Sequence, residues 1–244
     1  MSRINLDQNE NRPKPRSRGS DAARRHRVRL RILRRILITV LLMALSFGAG
    51  FGMAKFSDED FLTRRKYVDL SALVAPDWIN QQFIPVGKYA RPGIKMERIN
   101  DVVIHYVANP GTTAEQNRSY FEGLENQTDS SRTYASCHFI IGLDGEIIQI
   151  IPMDEKAYAS NNRNSDTVAI ECCHPGEDGR FTDETMSSLV KLTAWILHET
   201  DLKEKNVIRH YDVNGKVCPK YYVEHEDAWE QFLADVKRAL KEYR

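Results

Sequence analysis

Near the end of the chain, VIRHYDVNGKVCPKYY (residues 207 to 222) places His210 and Cys218 eight residues apart, with Lys216 two before the cysteine. An imidazole and a thiolate are good zinc ligands, but two ligands do not make a site. A third candidate is His105, at the end of the apolar run VVIH. A histidine in such a run is costly to bury unless both ring nitrogens are satisfied, so alone it reads as a structural residue. Taken with His210 and Cys218, it completes a set of three. Three protein ligands leave the fourth tetrahedral position open to water, which is the arrangement of a catalytic rather than a structural zinc. Zn2+ is therefore the expected cofactor.

Glu171 lies in VAIECC, another apolar run, where an unpaired carboxylate is expensive. The plain reading is a strand-end acid paired with Arg or Lys. Beside an activated water it gains a chemical role, taking the water proton and later returning it to a leaving nitrogen. Lys216 by itself is a solvated loop charge. Held near the metal by Cys218, it would stabilise the oxyanion formed when water attacks a carbonyl. His138 is a fourth ligand candidate on composition alone.

These residues need strands and turns to hold them. DVVIHYVA, carrying His105, is a β-branched run that reads as a buried strand, and DTVAIECC, carrying Glu171, reads as another. ASCHFIIGLDGEIIQIIP reads as two strands joined at Asp144-Gly145, a strong hairpin signal. TTAEQNRSYFEGLEN is expected to be a helix capped by Thr112 or Thr113. TDETMSSLVKLTAWILHETD is an amphipathic helix starting at Thr182–Glu184, with apolar Met186, Leu189, Val190, Leu192, Trp195 and Ile196. DAWEQFLADVKRALKEY closes the chain as a second one, and residues 207 to 222 read as a loop between the two. Strands mixed with helices point to an α/β domain of about 145 residues.

The N-terminal part is built differently. The 244 residues carry a net charge of +1, with 41% hydrophobic and 28% charged residues, a balance that fits a folded core. Residues 1–35 hold twelve Lys/Arg and three Asp/Glu, a balance of +9, so the remainder stands at −8. This tail has few large apolar residues and is expected to be disordered and cytosolic. Ile36 to Ala54 is nineteen residues without a charge. As a helix it is about 28 Å long, close to the hydrocarbon thickness of a bilayer. The basic flank before it and Asp58, Glu59 and Asp60 after it orient the N-terminus inward and everything after Lys55 outward. A cleaved secretory signal is the alternative. The long basic n-region and long apolar run favour an uncleaved single transmembrane helix. Orientation and lipid contact account for the basic tail, so no nucleic-acid partner is expected. Residues 55–90 read as an extracellular connector whose later part packs onto the domain formed by 91–244.

Four motifs, VVIHYVANPGT, ASCHFIIGLDGEIIQIIP, NSDTVAIECC and RHYDVNGKVCP, resemble in order those of the zinc-dependent N-acetylmuramoyl-L-alanine amidases. That family shares its fold with phage amidase-type lysozymes and animal peptidoglycan-recognition proteins. The resemblance runs from about Arg91 to Arg244. It implies a central mixed β-sheet flanked by helices and a zinc in a surface groove. His105, His210 and Cys218 would be the ligands, Glu171 the catalytic acid and Lys216 the lysine two before the last ligand. It makes His138 a strand residue. Phage members carry a tyrosine immediately before the HF pair, where this chain has Cys137, so no catalytic tyrosine is assigned.

With Cys218 on zinc, Cys137, Cys172 and Cys173 remain. Neighbours on a strand face opposite sides, so at most one of Cys172 and Cys173 shares a face with Glu171. A disulfide from Cys137 to one of them stays open, and weak dependence on disulfides is expected. The implied activity is hydrolysis of the amide between N-acetylmuramic acid and L-alanine of the stem peptide. The enzyme would be tethered to the outer face of a bacterial membrane, with peptidoglycan as its partner. The alternative is a peptidoglycan-binding module without catalysis. Binding-only relatives of this fold lack the thiolate ligand, and this chain has Cys218.

Overall fold

The β-branched run around His105 forms a strand, Asp101–Tyr106, whose four middle residues are buried and whose successive side chains point to opposite faces. The computed structural model describes residues 33–34, 36–40, 67–128 and 132–243. Within 67–243, β1 (Asn80–Gln81), β2 (Asp101–Tyr106), β3 (Phe139–Ile141), β4 (Ile147–Gln149), β5 (Thr167–Cys172) and β6 (Val207–Arg209) form one six-stranded sheet in the order β1-β4-β3-β5-β2-β6. Of these strands only β3 and β4 pair antiparallel, so the sheet is mixed, as expected. The β3–β4 connection turns at Asp144-Gly145. Gly145 has φ +82, and a Cβ there would meet Glu184 O and Ser188 Oγ at 2.9 Å. Glycine is required both for the turn and for the approach of the next helix.

Among the described residues of 67–243, five α-helices surround the sheet: α1 (Ala114–Gly123), α2 (Asp183–Glu199), α3 (His210–Asn214), α4 (Lys220–Glu224) and α5 (Glu226–Leu240). Thr113 caps α1 in a reciprocal capping box with Gln116, and Thr182 caps α2 by accepting from Thr185 N. On one face of the sheet, Val102, Ile104, Phe139, Val168 and Ile170 pack against Leu192, Trp195 and Ile196 of α2 and against Phe232 and Val236 of α5. Each such side chain contributes about 1.5–3 kcal/mol by leaving water. The opposite face, with Ile140, Ile148 and Ala169, packs on Ala114 and Phe121 of α1 and on Ile84 and Tyr89.

The stretch from Tyr67 to Ala90, read as connector, contributes β1 beside β4 and buries Leu70, Ile79, Ile84 and Tyr89. Arg65–Arg244 is accordingly one compact unit. Two-residue strands and single apolar anchors carry no periodicity, which is why this part reads as linker. Residues 207–222, read as a loop, instead hold β6 and the two single-turn helices α3 and α4. Five residues are too few for a helical period to be visible.

Among the described residues no helix is long and apolar enough to cross a membrane. The expected span, 36–54, lies outside the described residues except for 36–40, which are helical and exposed. The basic tail lies outside them as well, apart from Leu33 and Arg34, and so does 55–66.

Candidate functional site

The site forms at the C-terminal ends of the parallel strands β5, β2 and β6, where open α/β sheets bind ligands. Val102 and Ile104 belong to the α2/α5 core, so the alternation turns His105 to the other face. The register sets His105 beside Glu171 on β5 and Ile104 beside Arg209 on β6. His210, the next residue, starts α3 at the same edge. Gly215, with φ +80, ends that helix, and its N–H returns to Tyr211 O at 2.7 Å. Tyr211 N then donates to Cys218 O at 2.9 Å, which folds the cysteine back toward the histidine that precedes it by eight residues.

The ligand atoms of His105, His210 and Cys218 lie within 4.8 Å of one another, and all three residues are buried. The two imidazole centroids are 4.6 Å apart, and Cys218 Sγ is 3.8 Å from His105 Nδ1. His210 Nε2 is 2.8 Å from Asn161 Oδ1, a pure acceptor, so Nε2 carries the proton. His210 Nδ1 is left deprotonated, buried and without a partner. A bare buried lone pair beside a second imidazole and a thiol is what a soft, tetrahedral cation would satisfy. The donor set fits zinc.

The protonation states agree. Burial, reinforced by the charges of His210, Lys216 and His138, holds His105 well below the ordinary histidine range. Burial, with Lys216 beside it, brings His210 down to about 4. Both rings are therefore neutral at pH 7, the form in which an imidazole can ligate a metal. Burial, then Glu171, pushes the Cys218 thiol up to about 12, so a metal must displace that proton when it binds. Glu171 has one carboxylate oxygen, Oε2, buried without a partner. Burial raises it to about 8, opposed by Lys216. A carboxyl this poorly solvated, next to a candidate cation site, is a functional candidate by its electrostatics.

His105, Glu171, His210 and Lys216 all line one groove of about 360 Å³, with Tyr134 and Tyr158 among its walls. The structure thus brings together all five residues singled out in the sequence. It does not bring in His138, whose Nε2 donates to Glu155 O at 2.9 Å and whose Nδ1 accepts from Ala169 N at 3.0 Å. Both nitrogens are satisfied within the sheet, so it is structural. Cys137 is buried in the α1-side core and does not line the groove. All four cysteines are free, and Cys173 rather than Cys172 lies in the core on the Glu171 side of the sheet.

Several site residues escaped the sequence reading. Ser160, Asn161, Asn164 and Asn214 surround the two histidines, and Asn161 sits in the left-handed region at φ +55. The signal was the run SNNRNS before a strand, since Asn is among the few residues that tolerate that conformation.

Residues 95–221 match the protein family described as N-acetylmuramoyl-L-alanine amidase. The chain belongs to that family. It is 30% identical over 172 residues to the N-acetylmuramoyl-L-alanine amidase CwlL of Bacillus licheniformis, covering 66% of this chain and 47% of that one. It is 30% identical over 179 residues to BlyA of Bacillus subtilis (strain 168), covering 65% and 46%. The chain spans about half the length of these curated relatives. The solved catalytic domain of XlyA superposes with a TM-score of 0.54 at 30% identity, covering 65% of this chain and 98% of that one.

Proposed function

We propose that this protein hydrolyses the amide between the lactyl group of N-acetylmuramic acid and L-alanine in peptidoglycan, as a zinc enzyme. The observation that carries the reading is the convergence of His105, His210 and Cys218 within 4.8 Å, with an unpartnered His210 Nδ1 and an unpartnered Glu171 Oε2 in one groove. Family membership supplies the substrate class.

His105, His210 and Cys218 would hold Zn2+, which supplies Lewis acidity toward water and a carbonyl oxygen. Glu171 accepts the proton of the attacking water and passes it to the leaving alanine nitrogen. Burial raises its proton affinity, which suits holding the proton between the two transfers, and the opposing Lys216 charge favours the carboxylate that must first accept it. The Lys216 ammonium, close enough to depress both histidines and to draw Glu171 down, stabilises the oxyanion that develops on the carbonyl. The aromatic walls at Tyr134 and Tyr158 offer apolar surface to a sugar ring or peptide side chain.

The reading includes a membrane tether. Ile36 to Ala54 is uncharged with a strongly basic flank, and 36–40 form an exposed helical stretch, with Leu37 65% and Ile36 55% accessible. Apolar side chains left in contact with solvent over successive residues favour lipid as their surroundings. A tether of this kind holds a wall hydrolase at high local concentration beside its substrate. The catalytic domain would lie on the outer side of a bacterial membrane. Extraction of membranes with alkaline carbonate tests this part: the chain stays in the pellet if anchored and enters the supernatant if not.

The activity test uses the full chain on purified cell walls. Zinc-loaded protein should release new L-alanine amino termini, and EDTA should abolish that release. Binding to walls with no new amino termini would favour a recognition module instead.

A further inference from the structure

One short loop supplies the remote-nitrogen partner of both imidazoles. Ser160 Oγ lies 3.4 Å from His105 Nε2, and Asn161 Oδ1 lies 2.8 Å from His210 Nε2. The loop is pinned from beneath: Asn164 Oδ1 accepts from Ser160 N at 2.6 Å and from Ala159 N at 3.0 Å. Asn214, one helical turn after His210, donates to the same Asn161 oxygen at 2.8 Å, and its own Oδ1 accepts from Lys216 N at 3.0 Å. A chain of amides therefore runs from Asn161 in the loop through Asn214 to the backbone of Lys216, with His210 bonded to the same Asn161 oxygen.

We propose that Asn161 is a positioning residue whose side-chain oxygen holds His210 in the Nε2–H tautomer, leaving Nδ1 of that ring for the metal, while Ser160 from the same loop orients the His105 ring through its Nε2. The reason is chemical. A neutral imidazole has one N–H and one lone pair, and which nitrogen ligates is decided by what the other nitrogen meets. Asn161 Oδ1 already accepts from Asn214 and cannot donate, so it selects a protonated Nε2 at His210. Asn214 Nδ2 is also 3.3 Å from His210 Nε2, but its shorter contact is with Asn161. Ser160 is the weaker partner at its longer distance.

This inference rests on the zinc reading, and the test separates the two. The full chain, with its seven histidines labelled in 15N, is measured by NMR in the zinc-free state, and zinc affinity is measured by competition with a fluorescent chelator. Wild-type protein should show His210 protonated at Nε2 and bind zinc tightly. Asn161→Gly, which keeps the left-handed backbone and removes the acceptor, should mix the tautomers and weaken zinc binding by about 10–100-fold. Asn161→Asp, which keeps the acceptor, should restore the tautomer and most of the affinity. Ser160→Ala should act in the same direction as Asn161→Gly, with a smaller loss. Wild-type protein that binds no zinc overturns the functional reading itself. Wild-type protein that binds zinc with His210 protonated at Nδ1 overturns this inference alone, a result that needs no variant to fold. Unchanged zinc affinity in Asn161→Gly overturns it equally.

Discussion

On one side of the sheet, Val102, Ile104, Val168 and Ile170 meet the apolar stripes of α2 and α5. On the other, the same two strands carry His105 and Glu171 one residue before their ends, and the covering layer opens into a groove. Four buried side-chain atoms among the described residues lack a partner, and two of them, Glu171 Oε2 and His210 Nδ1, lie in that groove. Leaving a buried polar atom unpaired costs about 1–3 kcal/mol. The α2/α5 side holds the chain together, and the groove side tolerates unsatisfied atoms that a ligand would complete. Chemistry is confined to one side of the sheet, where the groove opens beside the α1 core, and the α2/α5 side serves packing alone.

The sharpest break of this contrast is at Glu171. Glu171→Gln should leave zinc content unchanged and lower turnover by about 10²–10⁴-fold if the side chain is the general base. Because the change removes a desolvated acid rather than a packed contact, the zinc-free protein should melt no lower than wild type. Wild-type turnover on cell walls would take Glu171 out of the mechanism.

Phe232→Ala probes the opposite side. Phe232 is buried between α5 and the sheet, and its truncation should cost about 3–5 kcal/mol in chemical denaturation. Turnover per folded molecule should be unaffected. A selective loss of activity with intact stability would show that the two faces are not independent.

Arg91 and Glu155 lie on the groove side but belong to its scaffold. Arg91 Nε and Nη2 hold the Glu155 carboxylate at 2.8 and 3.1 Å, with both side chains largely buried. The Arg91 hydrogen bond holds the Glu155 pKa below its ordinary value of 4.5. The pair's contribution is therefore present above pH 4.5 and is lost as pH falls through the lower folded value. Arg91→Ala should cost about 2 kcal/mol at pH 7. The deficit relative to wild type should shrink on acidification, and equal melting deficits at neutral and strongly acidic pH would refute the pairing.

A graded effect concerns the proposed ligands themselves. With the His210 pKa about 4 and the Cys218 pKa about 12, one proton, that of the thiol, leaves when zinc binds at neutral pH. Zinc affinity should then rise about tenfold per pH unit between roughly 5 and 9. A flat profile in chelator competition would mean that the thiol is not a ligand.

Much of this was legible in the chain because the informative residues violate their surroundings. A histidine and a glutamate inside β-branched runs, and a thiol returning after a Gly-containing turn, stand out against apolar or polar backgrounds. The hairpin was legible at Asp144-Gly145 for a similar reason: the turn demands a positive φ. What could not be read was short or relational. β1 has two residues, and β6 has three. α3 and α4 have five each. Asn161 matters only because the fold carries it to His210, 49 residues along the chain, and nothing in its local sequence encodes that encounter.

X-ray absorption at the zinc edge of the metal-loaded full chain tests the central claim most directly. The expected spectrum contains two nitrogen scatterers at about 2.0–2.1 Å and one sulfur at about 2.3 Å, with a light atom in the remaining position. The sulfur shell should vanish in Cys218→Ser. A wild-type spectrum without sulfur would contradict the assignment of His105, His210 and Cys218 as the metal centre.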